Sequence, residues 1–384
     1  MNFFKTLKIL FISIFLFTSL FQNLYAKEAV EVNSKSHIMM DFTTGKILSE
    51  NNKDLILPPA SLTKIMTAYI AFDYIKKGKL NRKINVPVSS NAVRTARRTN
   101  SARSFFEERY KIDLDTALKG LIVHSGNDAA IAIAELIGGN ELGFSNIMNE
   151  YAKKLKMENT HFNNASGLPT KNHYSTAMDL AILSKNLIKN FPELYAYYFA
   201  MKSFTFNDIY QPNRNKLLFR EDDFDGIKTG WTNDAGYCFS TSIIRDGRRL
   251  IIVTLNADNP EQRFEDAKKL AEYGINNYTN MILTKSGKTI KGIEKLPLYF
   301  SDLPTAEVVT DRTNIVTLSK EEAKKIKAKV LVKKELEAPI LSKTDVGDIV
   351  FYIDEEPIAE SNIIVKNDYK IGNWKNYIAD LLFR

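Results

Sequence analysis

The feature that narrows the possibilities most is a charge-free apolar run, Ile9 to Phe21, preceded by Lys5 and Lys8 and closed by Leu24-Tyr25-Ala26. A short basic start, an apolar centre and a small terminal residue form the layout of a secretory signal peptide, so residues 1–26 are expected to be an export signal. The run is shorter than the roughly 20 apolar residues that span a bilayer. Exported folds often rely on disulfides, yet Cys238 is the only cysteine in the 384 residues. The mature chain cannot be cross-linked internally and must be held by its core. Cys238 itself lies in Gly236-Tyr237-Cys238-Phe239-Ser240, a strand-like context that suits packing better than chemistry. The four histidines are scattered with no His-x-x-x-His pair, so no metal or other cofactor is expected.

Strand and helix signals divide the remainder. Ser36 to Phe42 and Lys46 to Leu48 form a hairpin pattern around Thr43-Thr44-Gly45. Pro58-Pro59 precedes an apolar helix from about Ser61 to Lys77. Helices are also expected over residues 113–124, 128–138, 176–189 and 259–278. Phe239 to Ile244 and Leu250 to Leu255 read as strands joined by a turn at Arg245-Asp246-Gly247-Arg248. With strands at both ends and helices between, residues 27–278 are expected to form one α+β domain, an antiparallel sheet covered by helices. A Lys-rich region over 279–369 reads as a small all-β domain, with strands at Ala306 to Leu318, Lys327 to Val332 and Ile349 to Asp354. Residues 370–384 end the chain with Trp374, Tyr377, Ile378, Leu381 and Leu382 at helical spacing, an amphipathic stripe suited to a membrane interface. The net charge of +8 suits an anionic membrane face or an acidic polymer. No nucleic-acid signature accompanies it, and nucleic acid is not an expected partner.

Three short motifs carry chemistry. Ser61-Leu62-Thr63-Lys64 sets a hydroxyl and an amine three apart, on one face of a helix start. A serine hydroxyl is a poor nucleophile unless a base takes its proton, and a lysine is a base only if burial or nearby cations lower its pKa. Ser125-Gly126-Asn127 sits at a corner between two expected helices, where a hydroxyl can relay a proton and a carboxamide can hold a substrate amide. Lys228-Thr229-Gly230 opens the strand-rich region. There an ammonium and a hydroxyl can bind a carboxylate, and a glycine lets a backbone approach. Each motif alone is weak; in this order, about 60 and 100 residues apart, they closely match the set found in penicillin-binding proteins and class A β-lactamases, in which the middle motif is Ser-Asp-Asn.

Pro58-Pro59-Ala60-Ser61-Leu62-Thr63-Lys64-Ile65-Met66-Thr67 resembles the nucleophile segment of low-molecular-mass penicillin-binding proteins of the D-alanyl-D-alanine carboxypeptidase type. His124-Ser125-Gly126-Asn127-Asp128-Ala129, His173-Tyr174-Ser175-Thr176-Ala177, Asn213-Arg214-Asn215 and Asp225-Gly226-Ile227-Lys228-Thr229-Gly230 extend the resemblance. It implies a serine DD-peptidase that acylates Ser61, with Lys64 as general base and Ser125 in proton transfer. It further implies substrate contacts from Asn127, Lys228, Thr229, Gly230 and Arg249, and an oxyanion hole made by the backbone N–H groups of Ser61 and Trp231. The implied substrate is a peptidoglycan stem peptide ending in D-Ala-D-Ala, with β-lactams as covalent inhibitors. The implied location is the outer face of the cytoplasmic membrane, held there by the terminal helix.

Two departures stand out. The segment Arg94 to Arg109 is more basic than the resemblance suggests and is expected to border the cleft, and Trp231 is bulky for the position after Lys-Thr-Gly. A DD-endopeptidase uses the same motifs and stays open. A β-lactamase is disfavoured because no Glu-x-x-Leu-Asn run exists, and a catalytically silent wall-binding protein because no catalytic side chain is missing.

Overall fold

The computed structural model describes residues 30–383 apart from Asn100, Lys333 and Lys334; the expected export signal lies outside the described residues. Five antiparallel strands form the central sheet: β1 (Ser36–Asp41), β2 (Ile47–Asn51), β3 (Phe224–Thr232), β4 (Gly236–Arg245) and β5 (Arg248–Ala257). Their order is β2-β1-β5-β4-β3, so the two ends of the domain pair through β1 and β5, with Met39 opposite Ile252. The apolar run Leu250 to Leu255 is continuous because both faces of β5 are covered. Ile251, Val253 and Leu255 enter one core cluster, and Leu250 and Ile252 enter another.

The larger cluster lies under the helices α1 (Thr63–Lys76), α2 (Leu114–Ile122), α3 (Asn127–Gly138) and α4 (Ala177–Asn190). Helix α1 is buried on every side from Thr63 to Phe72, which explains why its sequence shows no polar stripe until its last turn. On the opposite face α5 (Gln262–Asn277) lays Phe264, Ala267, Leu270 and Ala271 against the sheet. At Gly274 a methyl group would come within 2.5 Å of Met39 Sδ and 2.7 Å of Leu250 Cδ1, so glycine permits the close approach of α5.

Downstream, Tyr278–Thr284 pairs with Asn314–Ser319, and six further strands form a second sheet with its own core of Leu298, Val308, Ile349, Ile363 and Val365. The expected single strand Ala306 to Leu318 is two strands. Thr305–Thr310 joins the six-stranded sheet, and the chain turns where the Asp311 carboxylate accepts hydrogen bonds from Ser361 Oγ (2.8 Å) and Asn362 N (2.9 Å). The two domains touch through Thr44 and Thr317 (Oγ1 to Oγ1, 2.5 Å) and through Lys46 and Glu322 (3.4 Å).

The terminal helix, Trp374–Phe383, is fastened by polar contacts and by the Tyr377 ring, which packs on Phe300 (centroids 4.8 Å apart). Asp380 accepts from Phe300 N (2.6 Å), and Asp302 accepts from Asn373 N (2.8 Å) and Asn376 Nδ2 (3.1 Å). Trp374, Ile378, Leu381 and Leu382 remain exposed. Among the described residues no helix is long and apolar enough to cross a membrane.

Candidate active site

Ser61 sits in a 3-10 turn, Ala60–Leu62, and the α-helix begins only at Thr63. Ahead of it, Pro59 caps the turn and Ala60 is held at φ 47°, a left-handed conformation that is unfavourable for alanine. Two glycines make room for this turn. A methyl group on Gly167 would lie 1.8 Å from Ala60 O, and one on Gly230 would lie 3.1 Å from both Pro59 O and Ser61 N. Gly230 is on β3, an edge of the central sheet, so the edge strand runs directly against the amide of Ser61. His173 supports the turn from below. Its Nδ1 accepts from Asn163 N (3.0 Å), which leaves Nε2 to donate to Thr63 Oγ1 (2.8 Å). Burial lowers the His173 pKa to about 4, and His161 and Lys64 act in the same direction, so the ring stays neutral.

One turn along the helix, Lys64 Nζ donates to Ser61 Oγ (2.9 Å), to Asn127 Oδ1 (2.6 Å) and to Ser166 O (2.6 Å). All three partners are neutral, and Lys64 is fully buried. Desolvation brings its pKa down to about 7 and Arg214 adds to the effect, with Asp128 opposing. A lysine in that state holds substantial neutral amine at physiological pH, beside the hydroxyl it would deprotonate.

The second motif forms the corner between α2 and α3. Ser125 is buried at φ 68°, and the amide of Gly126 donates back to Gly120 O (2.9 Å). Asn127 opens α3 with its carboxamide spanning two partners: Oδ1 takes the Lys64 bond and Nδ2 donates to Ser101 Oγ (2.6 Å). The third motif lies on β3, with Lys228 and Thr229 buried. Burial pushes the Lys228 ammonium well below the ordinary lysine range, and Lys64, Arg214 and Arg263 push it further the same way.

These groups surround a cleft of about 850 Å³ whose lining includes Ser61, Ser125, Asn127, Thr229, Gly230 and Trp231. Trp231 is half exposed and leans on Tyr237 (ring centroids 6.0 Å apart). Arg249 is not in the lining. Its guanidinium pairs with Asp225 (2.8 Å) and lies over the Phe42 ring (5.8 Å) and the Tyr195 ring (5.5 Å), because its place on β5 directs it toward the beginning of β3. Among the described residues, the guanidinium groups that line the cleft are those of Arg103, Arg214 and Arg263.

Two of these, Arg214 and Arg263, belong to none of the three motifs. Arg214 donates from Nε to His124 O (3.0 Å), beside Ser125. Arg263 donates from Nη1 to Gly230 O (3.1 Å), and burial lowers its pKa to about 10. Arg214 had a signal in the Asn213-Arg214-Asn215 resemblance; Arg263, in the first turn of an amphipathic helix, had none. Cys238 is buried, with its thiol pushed up to about 11 by desolvation, as suits a packed side chain.

Residues 23–259 match the family model described as D-alanyl-D-alanine carboxypeptidase, and residues 278–370 match that of the penicillin-binding protein 5 C-terminal domain. D-alanyl-D-alanine carboxypeptidase DacD of Escherichia coli (strain K12) is 35% identical over 93% of this chain and 92% of its own length. The crystal structure of penicillin-binding protein 5 from Haemophilus influenzae superposes with a TM-score of 0.76 at 33% identity, covering 88% of this chain and 98% of that one. Penicillin-binding protein 6B from Escherichia coli gives 0.75 at 32% identity, covering 89% and 98%. A serine and a lysine of lowered pKa at the head of a buried helix, with matches that span both domains, lead to one conclusion: the chain belongs to the D-alanyl-D-alanine carboxypeptidase family of serine peptidases.

Proposed function

We propose that this enzyme removes the terminal D-alanine from peptidoglycan stem peptides through an acyl-enzyme on Ser61. The observation that carries the reading is the 2.9 Å hydrogen bond between Lys64 Nζ and Ser61 Oγ, made by a buried lysine whose pKa is near 7. Neutral Lys64 takes the Ser61 proton as Oγ attacks the carbonyl between the two D-alanines. The oxyanion forms between the amides of Ser61 and Trp231, in keeping with the close passage of Gly230 against Ser61 N. Ser125 passes a proton to the leaving amine, D-alanine departs, and water releases the shortened peptide. The leaving residue carries a carboxylate, and the cleft offers Thr229, Arg214 and Arg263 to it, with Lys228 behind them and, among the described residues, no acidic side chain in the lining. A β-lactam presents an amide and a carboxylate in the same relation and acylates Ser61.

The enzyme works outside the cytoplasm, peripheral to the outer face of the cytoplasmic membrane. The exposed stripe of Trp374, Ile378, Leu381 and Leu382 supports that placement, since polar contacts and the Tyr377 ring on Phe300 fasten the helix while these four side chains remain available to lipid.

Release of D-alanine from a synthetic peptide ending in D-Ala-D-Ala tests the activity. Wild type releases it, and Ser61→Ala loses about a thousandfold or more of kcat. Cleavage only of cross-linked dimers, with no free D-alanine, would replace this reading with an endopeptidase.

A further inference from the structure

The loop between Ser101 and Phe106 takes no part in the acylation steps, yet both peptide neighbours of Arg103 are fixed against the catalytic corner. Asn127 N donates to Ala102 O (2.8 Å), and Ser104 N donates to the two Asp128 carboxylate oxygens (2.8 and 2.9 Å). Phe106 N also donates to Asp128 (3.1 Å), and Gln211 Nε2 donates to Ser104 O (3.2 Å). Asp128 and Gln211 are buried, and Gly126 leaves no room for a methyl group, which would lie 2.1 Å from Ser104 Oγ. The loop is therefore part of the rigid wall of the cleft.

Arg103 projects from this wall into solvent at the cleft, its guanidinium 5.0 Å from the centre of the Phe105 ring. Stacking on an aromatic face holds the planar group while leaving its edge N–H donors available. Its neighbour Arg97 pairs with Glu107 (2.5 Å), whereas Arg103 has no carboxylate within ion-pair reach among the described residues. Among the described residues, the cleft lining contains three arginines and no Asp or Glu. Arg214 and Arg263, beside His124 and Gly230, answer the carboxylate that departs with D-alanine. Arg103 lies instead on the loop that holds Asn127.

We infer that Arg103 binds a second carboxylate, carried by the part of the peptide that stays on Ser61 after D-alanine leaves. The enzyme's preferred substrates are then acidic stem peptides whose retained portion has a free carboxylate rather than an amide. This inference rests on the carboxypeptidase reading above.

The test compares two synthetic peptides ending in D-Ala-D-Ala, identical except that one upstream carboxylate is free in the first and amidated in the second. Wild type favours the free acid in kcat/KM by about fivefold, the range of a solvent-accessible charge pair, and the preference shrinks at high salt. In Arg103→Ala the ratio of the two kcat/KM values falls to about one; in Arg103→Glu it inverts. Arg103→Lys keeps an intermediate ratio because an ammonium lacks the planar fork. A wild-type ratio of one, or a ratio unchanged in Arg103→Ala, overturns the inference. If wild type releases D-alanine from neither peptide yet is acylated by penicillin, the carboxypeptidase reading falls and this inference with it.

Discussion

The lowered pKa of Lys64 makes a quantitative demand on the acylation rate. An ordinary lysine near 10.5 would be neutral in only about three molecules in ten thousand at pH 7, whereas a pKa of about 7 leaves roughly half of them neutral. Burial thus raises the supply of free amine beside Ser61 by about a thousandfold, worth roughly 4 kcal/mol in the population of the competent form. If Lys64 is the base, its neutral form is the reactive one, so the rate must rise with pH. Acylation by a fluorescent penicillin, whose carboxylate stays ionised throughout, should run at about one tenth of its plateau at pH 6, half at pH 7 and nine tenths at pH 8. Stopped-flow measurement of the second-order constant gives the curve. Arg214→Gln should move the midpoint upward, because Arg214 is one of the groups that hold the Lys64 pKa down. Stability follows the same shift: between about pH 7 and 10.5 the unfolded chain keeps a proton that folded Lys64 has lost. Unfolding therefore takes up a proton, and this site's contribution to stability rises with pH across that window. A rate that is flat between pH 6 and 8, or a midpoint near that of an ordinary lysine, would refute the assignment of Lys64 as the base.

Two other substitutions separate chemistry from architecture. Gly230→Ala brings a methyl group to 3.1 Å from Pro59 O and Ser61 N, so acylation should fall by about tenfold to a hundredfold while thermal unfolding shifts by only a few degrees. Unaltered acylation would show that the edge strand need not lie so close. Arg249→Ala breaks the pair with Asp225 inside the fold; urea unfolding should report a loss of roughly 1–3 kcal/mol, with KM for the peptide changed less than about twofold. A large KM effect at unchanged stability would return Arg249 to the substrate.

Much of this site was legible because its spacing is local or its chemistry is specific. Ser61 and Lys64 meet through one turn of backbone, and the corner at Ser125-Gly126-Asn127 announces itself through Gly126 between two apolar helices. The hairpins and the pairing of β1 with β5 followed from strands at the two ends of one domain. What the sequence concealed was long-range direction. Arg248 and Arg249 are adjacent on β5, and alternation along a strand sends one to buried Asp41 (3.0 Å) and the other to Asp225 (2.8 Å), both occupied within the fold. The carbonyl of Ser166 that holds Lys64 is a backbone group and leaves no compositional trace. Arg263 reads as an exposed charge on an amphipathic helix, and only the pairing of β3 to β4 brings the Gly230 carbonyl within its reach. The basic segment was placed at the cleft from its sequence position, but the anchoring of its backbone by Asp128 depends on tertiary contact.

The central claim, that Ser61 is the acylated nucleophile, is tested most directly by incubating the protein with penicillin and locating the added mass by peptide mapping. The account predicts one penicilloyl group on the peptide containing Ser61 and none in Ser61→Ala. An adduct on another residue, or labelling that persists in the variant, would contradict it.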